Sequence, residues 1–259
     1  SMGKVYSGPG KNSNAFYQPS EFRNMDYNNS SSRYCFSRSR ESDHFYVFWE
    51  PGFGANPNAS SVPAKMRVDI DDLLTKAELF YYTNVNKLHM TDGSLLGGYK
   101  MQIYLLYQEE WLATGSGYDE KIGALWVNPS TCQPVGTTIA HEIGHSFQYM
   151  IASKQLADGK SKIGETAFRY GYPGSKGGCA FWELSAQWQA YTVYPEESFT
   201  WHHMDVWFNN YHRAFENELT RYQNYWWLFY VTEKHDIDVF QRIWKESKYP
   251  EDAMSTYMR

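Results

Sequence analysis

Little in this chain suits a membrane span, a nucleic-acid partner or a disulfide-stapled scaffold. No run of about 18 consecutive apolar residues occurs, so no segment reads as a transmembrane helix. Lys and Arg, 24 together, are outnumbered by 29 Asp and Glu, for a formal net charge of −5. No stretch concentrates positive charge, so the basic face that nucleic-acid binding depends on is missing. Three cysteines, Cys35, Cys132 and Cys179, are too few for a disulfide framework, and the odd number leaves at least one thiol unpaired. A Cys132–Cys179 bridge is one pairing the count allows. Internal repeats and low-complexity tracts are absent as well. The N-x-Ser triplets at Asn28, Asn29 and Asn58 are too common by chance in Asn/Ser-rich loops to fix a compartment.

What the chain has in quantity is aromatic residues, 18% of the total, with 22 Tyr, 15 Phe and 10 Trp. Such rings build a core without many aliphatics, and some can be left over to line a cleft. At 259 residues the length fits one large domain or two halves packed around one cleft. Residues 1–42, rich in Ser, Asn, Gly and Tyr without periodicity, read as an extended lead-in. His44 to Trp49 reads as a strand closed by Pro51-Gly52. A helix is expected over 68–88, with Asp69, Asp71 and Asp72 at its electropositive start. Strands are expected over 101–107 and 124–127, separated by a turn at Gly115-Ser116-Gly117-Tyr118. A helix follows from about Thr137 to Lys154, then a Gly-rich loop over 158–178. From Ala180 onward the pattern is almost entirely helical, over about 180–194, 201–217, 221–235 and 238–247. The expected architecture is therefore α+β, with a small mixed sheet and one functional helix in the first half. A mostly helical second half completes it, and residues 43–259 form one domain with its cleft between about 43–155 and 179–259.

The 137–154 helix carries His141-Glu142-Ile143-Gly144-His145. Residues four apart share a helix face, so both imidazoles reach one ion while Glu142 flanks it without ligating. Ile139, Ile143, Phe147 and Met150 fall on the opposite side and can bury. In a chain with eight histidines the pattern arises by chance in roughly 1–2% of cases. His141 and His145 are thus the candidate metal ligands and Glu142 the candidate catalytic base. Zinc hydrolases commonly take three protein ligands and leave a fourth position open. Glu183 is the leading third ligand, a carboxylate set in the apolar run Phe181 to Trp188 where an unpaired charge would be costly. His202, His203, Asp205 and His212 are its competitors. Gln187, one turn after Glu183, and Gln148, three residues after His145, are placed to accept a hydrogen bond from the far nitrogen of a ligating imidazole. For an oxyanion donor the candidates are His212, Tyr222, Tyr225 and Tyr118.

His141-Glu142-Ile143-Gly144-His145-Ser146-Phe147-Gln148 resembles the His-Glu-x-Gly-His-x-x-Gln form of gluzincin peptidases of the enhancin and mucin-degrading group. Phe181-Trp182-Glu183 resembles their downstream glutamate ligand, and residues from about 43 to 259 are similar to uncharacterised secreted bacterial proteins with a zincin-like domain. The resemblance implies a zincin fold, Zn2+ held by His141, His145 and Glu183, Glu142 as general base, and secretion. The opening Ser1-Met2-Gly3 has the look of an expression scar, so a secretory leader is expected to have been removed ahead of it. Two departures stand out: the separation of His145 from Glu183 exceeds the enhancin-type pattern, and Gln187 stands where many gluzincins carry an acidic residue. The expected activity is a zinc-dependent metallopeptidase acting on a polypeptide or glycoprotein substrate. The strand at 124–127 would then form the upper edge of its cleft. The rival readings are hydrolysis of a glycan bond, with aromatics around loop 158–178 stacking on sugars, and a catalytically silent binding module. The sequence carries no signal for an oligomeric state.

Overall fold

The computed structural model describes residues 6–7, 15–91, 98–168, 180–213, 215 and 220–259. Its centre is one mixed sheet of six strands in the order β1-β2-β3-β4-β6-β5. These are β1 Tyr6–Ser7, β2 Ser39–Glu41, β3 Phe45–Trp49, β4 Met101–Leu105, β5 Ala113–Tyr118 and β6 Ile122–Val127. β3, β4 and β6 run parallel, and the outer strands pair antiparallel. Seven helices accompany them among the described residues: α1 Ile70–Tyr82, α2 Thr137–Ala157, α3 Ala180–Tyr191, α4 Trp201–Asn210, α5 Tyr225–Lys234, α6 Asp238–Lys245 and α7 Ala253–Met258. The chain is α+β, with its later part helical as expected. No described helix is long and apolar enough to cross a membrane.

Side-chain alternation along the strands explains the layering. Phe45, Val47 and Trp49 of β3, with Met101, Ile103 and Leu105 of β4, face the large core that α1, α2 and the later helices close. Tyr46, Phe48 and Tyr104 point the other way, so a sheet buried on both faces needs a second cover. Residues 15–42 provide it. Tyr27, Tyr34 and Phe16 pack on Phe48, Tyr104 and Tyr46, and 39–41 add β2. The expected loose lead-in is therefore, in its described part, a packed aromatic layer. Periodicity could not reveal it, because the segment docks ring by ring rather than as a regular element.

α1 starts at an N-cap, Asp69, whose carboxylate accepts the Asp72 N–H at 3.0 Å. It is shorter than expected and ends in a π turn over Thr83–Lys87. The largest difference lies at 115–118, expected as a turn but part of a strand from Ala113. It is β5, the sheet's edge strand, while 122–127 lies inside the sheet between β4 and β5. The β5–β6 turn sits at Asp119 and Glu120, both at φ 55°, a left-handed conformation unusual outside Gly or Asn. Tyr17 and the Ser20 N–H donate to the Asp119 carboxylate at 2.8 and 2.7 Å, and the Glu120 N–H donates to Tyr149 Oη at 2.9 Å. Cys35 and Cys132 are buried thiols, whereas Cys179 and most of the expected 158–178 loop lie outside the described residues.

Candidate metal centre

α2 runs through the middle of the molecule, and its motif side chains are nearly buried: His141 and Glu142 at 8% exposure, His145 at 6%. Ile139, Ile143 and Phe147 occupy the opposite side of the helix in the core. α3 lies alongside and delivers Glu183. Its Oε2 stands 3.1 Å from His141 Nε2 and 3.4 Å from His145 Nε2, and the three ligand atoms lie within 4.8 Å of one another. Donors about 2.0–2.1 Å from a tetrahedral ion are separated by roughly 3.4 Å, so these spacings suit one. The far ring nitrogens agree. Gln187 Oε1 meets His141 Nδ1 at 2.8 Å, and Gln148 Oε1 meets His145 Nδ1 at 2.9 Å. An amide oxygen only accepts, so each Nδ1 carries a proton, and in the neutral ring Nε2 is the nitrogen left free to ligate. The His-His-Glu group could hold a metal ion, with one side open to a cleft.

The charges would suit a cation. Burial would raise the Glu183 carboxyl, yet the two imidazoles hold it far below the usual carboxylate range. Burial likewise opposes charge on His145, but the Glu183 carboxylate outweighs it and lifts the ring to about 9 from 6.5. In the metal-free protein a folded-state pKa above the unfolded one adds stability below about 6.5, lost as pH rises through about 9. A metal needs the neutral ring, so its contribution runs the opposite way. The expected result is that zinc raises the melting temperature more at pH 9 than at pH 6, and that binding near neutrality releases protons. Thermal unfolding across pH, with calorimetry in buffers of different ionisation enthalpy, checks both. A zinc effect that shrinks with rising pH contradicts the assignment.

The cleft in front of the three ligands has a volume of about 410 Å3. Glu142 lines it, as do Thr137 and Thr138 of α2, Ala113 to Gly115 of β5, Gln187, Tyr222 and Trp111. It thus opens between the sheet-bearing part and α3 with the segment before α5. β5 presses directly on α2: a Cβ at Gly115 would stand 1.9 Å from the Glu142 carbonyl oxygen. Only glycine allows that approach, which also brings the Gly115 N–H to the Glu142 carboxylate. Burial, against the pull of both imidazoles, raises the Glu142 pKa.

Of the other candidates, Gln187, Gln148 and Tyr222 reach the site. The Tyr222 ring lies 6.1 Å from the His141 ring. Tyr225 does not reach it: the side chain is fully buried and donates to the Ser198 carbonyl at 2.6 Å. His212 is exposed beside Tyr211, and Asp205 is exposed on α4. His203 packs between Tyr191 and Tyr225. The His202 side chain lies outside the described residues. Tyr118 packs against Phe22, Tyr104 and Trp126 in the aromatic layer, across the sheet from α2. Sequence reasoning missed Gly115, Gln189 and Asn84. Gln189 alone left a signal, a second amide in an apolar helix.

The model of a family of unknown function, DUF6055, matches residues 10–259, and the chain belongs to that family. No curated protein and no solved structure matches it.

Proposed function

We propose that this chain is a zinc-dependent hydrolase of the zincin type that cleaves peptide bonds, with His141, His145 and Glu183 holding the metal and Glu142 as general base. The observation that carries the reading is the convergence of two imidazoles and one carboxylate beside a second, non-converging carboxylate on a cleft wall. A metal held there supplies Lewis acidity, acidifying a water and polarising a carbonyl. Zinc suits a His-His-carboxylate set with an open position.

The protein's own groups account for the rest. Glu142 takes a proton from the attacking water and returns it to the leaving amine; burial raises its pKa, which favours the uptake. The Gly115 N–H holds the carboxylate in place. β5 is an edge strand along the cleft, so its outward backbone groups can pair with an extended polypeptide laid beside it. Tyr222 remains a hydroxyl, because burial and the Glu183 charge raise its pKa. From the cleft wall it can donate to the oxyanion that forms at the scissile carbonyl. Tyr222→Phe should therefore lower kcat by about 10²–10³-fold, the loss seen for one oxyanion donor, with KM and zinc content little changed. Steady-state kinetics on a quenched peptide check this, and a loss confined to KM would remove the role.

The reading is tested by incubating the zinc-loaded protein with casein, a mucin-type glycoprotein and the same glycoprotein stripped of its glycans, with products read by mass spectrometry. New peptide termini that vanish in Glu142→Ala support it. New reducing sugar ends in their place would move the activity to glycan bonds, and intact substrates throughout with zinc bound would leave a binding module.

A further inference from the structure

Behind His145 the hydrogen bonds do not stop at Gln148. The Gln148 side-chain N–H donates to the Trp182 carbonyl at 3.1 Å and to Gln189 Oε1 at 3.0 Å. Gln189 Nε2 donates to Asn84 Oδ1 at 2.6 Å, and Asn84 Nδ2 donates to the Phe80 carbonyl at 2.9 Å. All three amides are buried, Gln148 at 0% exposure and Gln189 and Asn84 at 2%. The chain has one polarity. A backbone carbonyl only accepts, so the Asn84 amide nitrogen must face Phe80 and its oxygen must face Gln189. The same logic fixes Gln189, then Gln148, and ends by requiring a hydrogen on His145 Nδ1. Asn84 owes its position to the π turn at Thr83–Lys87, where the helical ladder is interrupted. Gly144, inside the metal motif, makes room for the relay: a Cβ there would stand 3.1–3.3 Å from the Gln189 amide atoms.

We infer that Gln189, anchored by Asn84, is a positioning residue for the metal ligand His145, acting through Gln148, and that Gly144 is required as the space its amide occupies. This rests on the metal-centre reading. The relay sets the rotation of the imidazole and would keep Nε2 turned to a metal held by the three ligands. The Trp182 carbonyl, one residue before Glu183, ties the same amide to the element that carries the third ligand.

Two substitutions test it. Gln189→Met keeps the approximate shape and removes both hydrogen bonds. It should weaken zinc binding by about 10–100-fold, the range for groups supporting a ligating histidine, and alter the visible spectrum of the cobalt(II) form. Gly144→Ala should weaken zinc binding in the same direction, because its Cβ would crowd the Gln189 amide at 3.1–3.3 Å. Combined, Gly144→Ala should cost little more once Gln189→Met is present, because both act on one amide. Zinc affinity is read by chelator competition and needs no activity assay. Variants that bind zinc within about twofold of the unsubstituted protein, the scatter of independent sites, with an unchanged cobalt spectrum, overturn the relay alone. An unsubstituted protein that binds no zinc overturns the metal centre and the relay with it.

Discussion

Glu142→Gln should lower turnover by about 10²–10⁴-fold, the contribution of a positioned general base, while leaving zinc affinity essentially intact. The two halves of this result come from one geometry. Glu142 lines the cleft but is not among the three residues whose ligand atoms converge, so the ion does not depend on it. An amide matches the carboxylate in shape and can still accept the Gly115 N–H, so the contact between β5 and α2 survives. What it cannot do is take up a proton. Turnover on a defined peptide and zinc content by mass spectrometry are the paired measurements. A variant that keeps near-full activity would remove Glu142 from the chemistry, and one that loses its zinc would place it among the ligands.

Glu183→Ala should produce the opposite pattern, losing the metal first and activity only as a consequence. With two imidazoles remaining, zinc affinity should fall by more than the roughly 100-fold upper range for second-sphere changes. The metal-free protein changes too. His145 owes its raised pKa to the Glu183 carboxylate, so without it the ring reverts towards a neutral buried imidazole. The acid-side stabilisation described above then disappears, and the metal-free melting temperature should lose its decline between pH 6.5 and 9. Dialysis followed by metal analysis, with thermal unfolding across pH, reads both effects. Near-stoichiometric zinc in this variant would transfer the third ligand to another residue.

The parts of the site legible in the sequence were those fixed by helical periodicity. Spacing alone put His141 and His145 on one face, Ile143 and Phe147 on the other, and Gln187 one turn from Glu183. Glu183 was legible because a carboxylate inside Phe181 to Trp188 needs a partner. What the sequence hid was tertiary. Gly115-Ser116-Gly117 has poor strand propensity and reads as a turn, yet the glycine at 115 is there because a helix backbone lies against it. Tyr222 and Tyr225 look alike in the sequence; only packing separates a cleft hydroxyl from a core one. Asn84 gave no local signal, since its partner lies in a helix far along the chain.

The aromatic layer over the outer sheet face has a consequence for how the chain can be cut. Tyr46, Phe48 and Tyr104 are almost fully covered because Phe16, Tyr27, Tyr34 and Phe36 lie on or beside them. A protein begun at residue 43 would keep every group of the metal centre and still bare a wall of rings to water. Contiguous apolar surface of that kind drives self-association. Such a fragment would be lost to aggregation before its candidate metal centre was ever tested, so soluble expression of this chain would depend on residues remote from that centre.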